Sequence, residues 1–123
     1  MDLRIQSLCV DARDPKSIAS FWEAVLGWRR TQDEPDEVVL EPPAGSAEDA
    51  VAPDLLFLKV PEPKTLKNRL HLDLRPLDQQ REVERLESLG ARRVYVGQGD
   101  EATWVVLADP EGNEFCVLKA LQA

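Results

Sequence analysis

An internal repeat limits the folds open to this chain more than any other feature. Ser7-Leu8-Cys9-Val10-Asp11-Ala12-Arg13-Asp14 and His71-Leu72-Asp73-Leu74-Arg75-Pro76-Leu77-Asp78 each alternate as a strand does, and each runs into an Asp. Behind each Asp comes a helical pattern that ends in Leu-Gly, at Leu26-Gly27 and at Leu89-Gly90. The copies recur at a period of about 64 residues, and a fixed internal period of this kind governs fold before local detail does. Two halves in near register predict a symmetric sheet with its site between or within the repeats.

Within each copy the local signals are specific. Residues 3–10 alternate and read as a strand. Asp14 caps a helix with Pro15 at its first position, and Ile18, Phe21, Trp22, Val25 and Leu26 recur at helical spacing until Gly27 stops it. Short strands are expected at 28–32, 37–41 and 54–60, with a Pro-, Gly- and acid-rich loop over 42–53. The second copy has a strand at 69–75, a helix capped by Asp78 with Val83, Leu86 and Leu89 on its apolar stripe, and strands at 91–96, 102–108 and 114–120. Asp109-Pro110-Glu111-Gly112-Asn113 is a tight turn, and Asp109 and Gly112 read as turn chemistry. The order βαβββ, twice, predicts an α+β fold: a curled mixed sheet of eight strands with helices on its outer face. The 123 residues suffice for one domain, with module one over 1–60, a linker over 61–67 and module two over 68–123.

Composition excludes some partners. A net charge of −8, from 15 Lys and Arg against 23 Asp and Glu, opposes nucleic-acid binding. No apolar run approaches the ~18 residues a membrane span needs, and the start lacks a basic segment followed by an apolar one. These features predict a cytoplasmic protein, where Cys9 and Cys116 stay unpaired as two buried small hydrophobes.

The chemistry-bearing residues concentrate in the second copy. By the period-2 rule Leu70, Leu72 and Leu74 share one strand face and pack on the helix, while His71, the only histidine, shares the other with Asp73 and Arg75. In copy one that other face carries Ser7 and Cys9. In a curled sheet it lines a cavity. His71 is then either a metal ligand or acid–base group in a polar cleft, or a hydrogen-bonded histidine on a solvated face. Glu114 shares a face with Cys116 and Leu118; it is either the carboxylate partner of His71 across the sheet or a polar hairpin edge. Trp104 is either a pocket wall or strand packing. No Gly-rich phosphate loop and no nucleophile with a second histidine is present.

Four segments resemble the vicinal oxygen chelate superfamily, and within it the glyoxalase-like domain. They are Val10-Asp11-Ala12-Arg13-Asp14-Pro15, Phe21 to Trp28, Pro61-Glu62-Pro63-Lys64 with Asn68 to Leu74, and Ala108 to Phe115. The resemblance spans nearly the whole chain. It implies the βαβββ fold, a homodimer, and a family that includes isomerising lyases, ring-cleaving dioxygenases and metal-free drug-binding resistance proteins; fold does not choose among them. It implies that metal-binding members draw ligands from the first and last strands of each half. At those positions this chain has Ser7, His71, the run Leu55 to Leu58, and Cys116, with Glu114 two residues before Cys116. Hence the expected activity is binding of a small organic molecule, with Ser7, Asp73, Arg75, Trp104 and Cys116 as contacts and His71 and Glu114 as the reactive pair. The alternative is a lyase or dioxygenase with a divalent metal (Zn, Ni, Fe or Mn) on His71 and Glu114, with Cys116 as a third donor. A second alternative is a non-catalytic interaction domain.

Overall fold

The computed structural model describes residues 2–121. Two compact units partition the chain, Met1–Pro63 and Lys64–Ala123. Each runs strand, helix and three further strands, so the fold is α+β and built of two βαβββ modules.

In the first unit, β1 (Ser7–Ala12) leads into α1 (Pro15–Leu26), followed by β2 (Arg29–Glu34), β3 (Glu37–Glu41) and β4 (Asp54–Lys59). The Asp14 side chain accepts the Ser17 N–H at 3.2 Å, and Pro15, which has no N–H to satisfy, starts the helix. Gly27 ends it in the left-handed region at φ 67°, donating its N–H to the Glu23 carbonyl at 2.9 Å. The sheet order is β1-β4-β3-β2, with β1 parallel to β4 and the remaining pairs antiparallel. α1 buries Ile18, Phe21, Trp22 and Val25 and lies on β3 and β4. The cross-strand pairs Val38–Phe57 and Leu40–Leu55 form the buried face of those strands.

The second unit repeats the plan with shorter strands: β5 (Asp73–Leu74), α2 (Gln79–Ser88), β6 (Arg92–Arg93), β7 (Val105–Ala108) and β8 (Glu114–Val117), in sheet order β5-β8-β7-β6. Asp78 caps α2 by accepting the Arg81 N–H at 3.1 Å. Val83 and Leu86 of α2, with Leu107, Phe115 and Val117 of the sheet, are almost wholly buried. No helix among the described residues is long and apolar enough to cross a membrane.

Several elements differ from the sequence expectation. β1 begins at Ser7 rather than residue 3, because its partner β4 begins at Asp54 and leaves Leu3 and Ile5 exposed. The expected strand over 69–75 shrinks to two residues, since β8 offers β5 only Cys116 and Val117 as ladder partners. Leu70 is accordingly exposed rather than packed on the helix, and Leu89 is the exposed C-cap of α2. The strands expected at 91–96, 102–108 and 114–120 are likewise cut back to β6, β7 and β8.

Cys9 is exposed and not a buried hydrophobe; only Cys116 is buried. Under native conditions a thiol reagent will therefore modify one cysteine fast. Cys9→Ser will remove that fast phase, and equal rates for both thiols would contradict the burial difference.

Candidate functional site

The site is built on one face of the second sheet. Asp73, Cys116 and Val106 are register partners on β5, β8 and β7, so their side chains point the same way, opposite to the buried Phe115 and Val117. A pocket of about 430 Å³ lies on that face. His71, Asp73, Cys116 and Glu114 line it together with Val106 and Trp104, and Lys67 and Gln98 add to its polar lining. Trp104 is 39% exposed, a wall with one face open. Every one of these residues lies in the unit Lys64–Ala123.

Three donor atoms converge in the pocket. His71 Nε2 lies 3.3 Å from Asp73 Oδ1, and the donor atoms of His71, Asp73 and Cys116 all fall within 4.8 Å of one another. Asp73 is the register partner of Cys116, and its carboxylate acts on the Cys116 thiol. Burial pushes that thiol above its usual 9.0, and the Asp73 carboxylate adds to the effect while Lys67 opposes it. Cys116 is thus a neutral thiol at neutral pH, a poor nucleophile as it stands.

Glu114 is occupied elsewhere. Lys64 Nζ lies 2.9 Å from its Oε1 and donates to Oε2 at 3.0 Å, and the Asn68 N–H donates to Oε1 at 3.0 Å. Desolvation is the largest influence on this carboxyl and raises its pKa, but the Asn68 N–H and the Lys64 ammonium together pull it below 4.5. It is a fixed anion rather than a proton carrier. The carboxylate partner of His71 is therefore Asp73, two residues along the same strand face, and not Glu114.

Of the residues singled out from sequence, the fold brings His71, Asp73, Cys116, Glu114 and Trp104 to one pocket. Arg75 is outside its lining, because its guanidinium turns to the Lys119 carbonyl at 2.8 Å. Ser7 lies on β1 of the other unit, paired in register with Asp54. That pairing adds a carboxylate to copy one beside the run Leu55 to Leu58. Leu56 faces Cys9 as Cys116 faces Asp73, so Asp54, two residues before Leu56, is the counterpart of Glu114. Lys64, Lys67 and Asn68 are not among the residues singled out from sequence: Lys64 and Lys67 lie in the Pro-punctuated stretch 61–67 that reads as linker, and Asn68 stands at the start of module two.

The donor set can hold a divalent metal. One imidazole nitrogen, one carboxylate oxygen and one sulfur make three protein ligands, the number that leaves a tetrahedral ion an open position.

The profile of the glyoxalase-like domain family matches residues 7–118. No curated protein matches the chain significantly in sequence. Solved structures of the same fold include a glyoxalase/bleomycin resistance protein/dioxygenase family enzyme from Burkholderia phytofirmans PsJN, at 18% identity and TM-score 0.69, covering 97% of this chain and 100% of that one. A bleomycin-binding protein from Streptomyces verticillus, complexed with copper(II)-bleomycin, is similar at 15% identity and TM-score 0.62 over 98% and 99% of the two chains. A mutant of the fosfomycin resistance protein FosX from Listeria monocytogenes, complexed with Mn(II) and 1S,2S-dihydroxypropylphosphonic acid, is similar at 10% identity and TM-score 0.70 over 98% and 93%.

Proposed function

The chain belongs to the glyoxalase-like domain family, and from that premise we propose that residues 64–123 bind a small organic molecule in the pocket of the second sheet. The observation that carries this reading is the pocket itself: about 430 Å³, its lining joining the apolar Trp104 and Val106 to the polar group His71, Asp73 and Cys116. That combination, mostly apolar with a few placed polar groups, is what small-molecule sites have in common. Lys67 adds a cation to the lining, which favours a ligand with an anionic or strongly polar end. Two free cysteines suit a cytoplasmic setting, and a homodimer is the assembly the family resemblance implies.

A broad thermal-shift screen tests the proposal. A bound compound at about 100 times its Kd stabilises the protein by about 2.7 kcal/mol, a clear rise in melting temperature. Trp104→Ala removes the apolar wall and is expected to weaken a screened ligand by about tenfold, since truncating an aromatic contact costs on the order of 1.4 kcal/mol or more. A ligand that binds the Trp104→Ala protein as tightly as the parent protein rules this pocket out.

The convergence of His71, Asp73 and Cys116 favours a second reading, a metal-dependent lyase or dioxygenase. A bound divalent ion would polarise oxygens of the substrate as a Lewis acid. The chain's own residues divide the remaining work. Trp104 and Val106 exclude water from one side, Lys67 draws an anionic group in, and Asp73 is the carboxylate within reach of His71. Glu114, tied to Lys64 and Asn68, holds residues 64–68 in place and moves no proton.

A further inference from the structure

We propose that His71, Asp73 and Cys116 are the three protein ligands of a thiophilic divalent ion of the zinc type. The inference rests on the second reading above for there being an ion at His71, and goes beyond it in naming the ligand set and the class of ion.

The geometry is near what such an ion needs. With metal–ligand distances of about 2.0–2.2 Å and a tetrahedral angle, a nitrogen and an oxygen ligand sit about 3.3–3.5 Å apart. His71 Nε2 and Asp73 Oδ1 are 3.3 Å apart. A sulfur at about 2.3 Å from the ion belongs about 3.6 Å from its neighbours, and Cys116 Sγ lies within 4.8 Å of both. Cys116 stands on a strand already in register with β5, opposite Asp73.

The same residues disfavour harder ions. Magnesium, calcium and manganese prefer sets made mostly of oxygens, whereas thiolate and imidazole suit zinc and its cobalt surrogate. The chain has one histidine. The other carboxylate of this pocket, Glu114, has Lys64 and Asn68 on its oxygens, so an oxygen-rich set does not assemble. Cys116 is 8% exposed, and all three donors line the pocket.

Cobalt(II) titration of the full chain, stripped of metal and kept reduced, tests the assignment. The expected result is one equivalent bound, with visible bands of tetrahedral intensity and a near-ultraviolet sulfur-to-cobalt charge-transfer band. Zinc displaces the cobalt, and magnesium and manganese do not. His71→Ala and Asp73→Asn each weaken binding by more than about a hundredfold, since outer-shell partners alone are worth about 10–100-fold. Cys116→Ser removes the charge-transfer band, and Cys9→Ser leaves it intact. Asp73 is half exposed, so its variant guards against a folding defect in the others. Cobalt bound without a sulfur band, or manganese bound equally well, overturns this assignment and leaves the metal reading standing. If no ion binds, both fall, and the small-molecule pocket stands on its own test.

Discussion

Replacing Asp109 by alanine will lower the unfolding free energy by about 2–4 kcal/mol. Asp109 is the one buried charged residue among those described, at 2% exposure, and it occupies the head of the β7–β8 turn. Its Oδ1 accepts the backbone N–H of Glu111 at 3.0 Å and of Asn113 at 2.9 Å, and the Asn113 amide reaches both oxygens at 3.2 and 3.1 Å. The backbone closes the same turn, with the Gly112 N–H on the Asp109 carbonyl at 2.8 Å and Gly112 at φ 89°, where a side chain is strained. Alanine removes the Oδ1 acceptor of two backbone donors, at a cost of about 1–3 kcal/mol each. Asp109→Asn keeps one acceptor oxygen and is expected to lose about half as much. Urea unfolding measures this as a fall in midpoint at unchanged slope. A change below about 0.5 kcal/mol, the range of an ordinary surface substitution, would show that the turn holds without its carboxylate. The damage extends toward the pocket, because Asn113 Oδ1 accepts from the Asn68 amide at 3.2 Å and Asn68 in turn holds Glu114.

The turn, both helices and the βαβββ order were legible in the sequence because each is specified locally. Asp14 and Asp78 cap where their spacing to the apolar stripe says they should, and Gly27 ends α1 where a left-handed residue is required. Strand length was not legible. Alternation tells which face a residue takes if it is in a strand, and says nothing about how many ladder partners the neighbouring strand provides; β5 has two. The site divides the same way. His71 and Asp73 could be placed on one face from the period alone, whereas the seat of Cys116 beside Asp73 depends on the register of β5 with β8. Glu114 bonds residues 46 and 50 positions earlier, a separation no local pattern encodes, so Lys64 reads as linker and Asn68 as the mere start of module two. Cys9 was misread because apolar character alone does not say whether a strand face is covered.

The Glu114–Lys64 pair will make the second unit acid-sensitive, and Glu114→Gln will remove that sensitivity along with about 1–3 kcal/mol of stability at neutral pH. The carboxylate and the ammonium side chains are 13% and 19% exposed, well shielded from solvent. Losing one charge leaves the other partly buried without its counterion, a change that costs more than a surface pair is worth. The sign of the pH effect follows from the pKa. The folded carboxyl titrates below the ordinary 4.5, so near that pH the unfolded chain takes up a proton that the folded chain refuses. The stabilisation is therefore complete above the unfolded pKa, declines as pH falls below it, and is gone below the folded one. Urea midpoints measured from pH 7 to pH 3 should fall more steeply for the parent protein than for Glu114→Gln. Parallel curves would mean the carboxylate gains nothing from its partners. Lys64→Met gives the other arm of a double-mutant cycle, with an expected coupling of about 1 kcal/mol or more for a pair this shielded. Because Lys64 and Asn68 precede His71 on the same segment, releasing them from Glu114 loosens the stretch that carries Lys67 and His71 into the pocket lining. Glu114→Gln should therefore also weaken any ligand found for the site, although Glu114 itself neither donates nor removes a proton there.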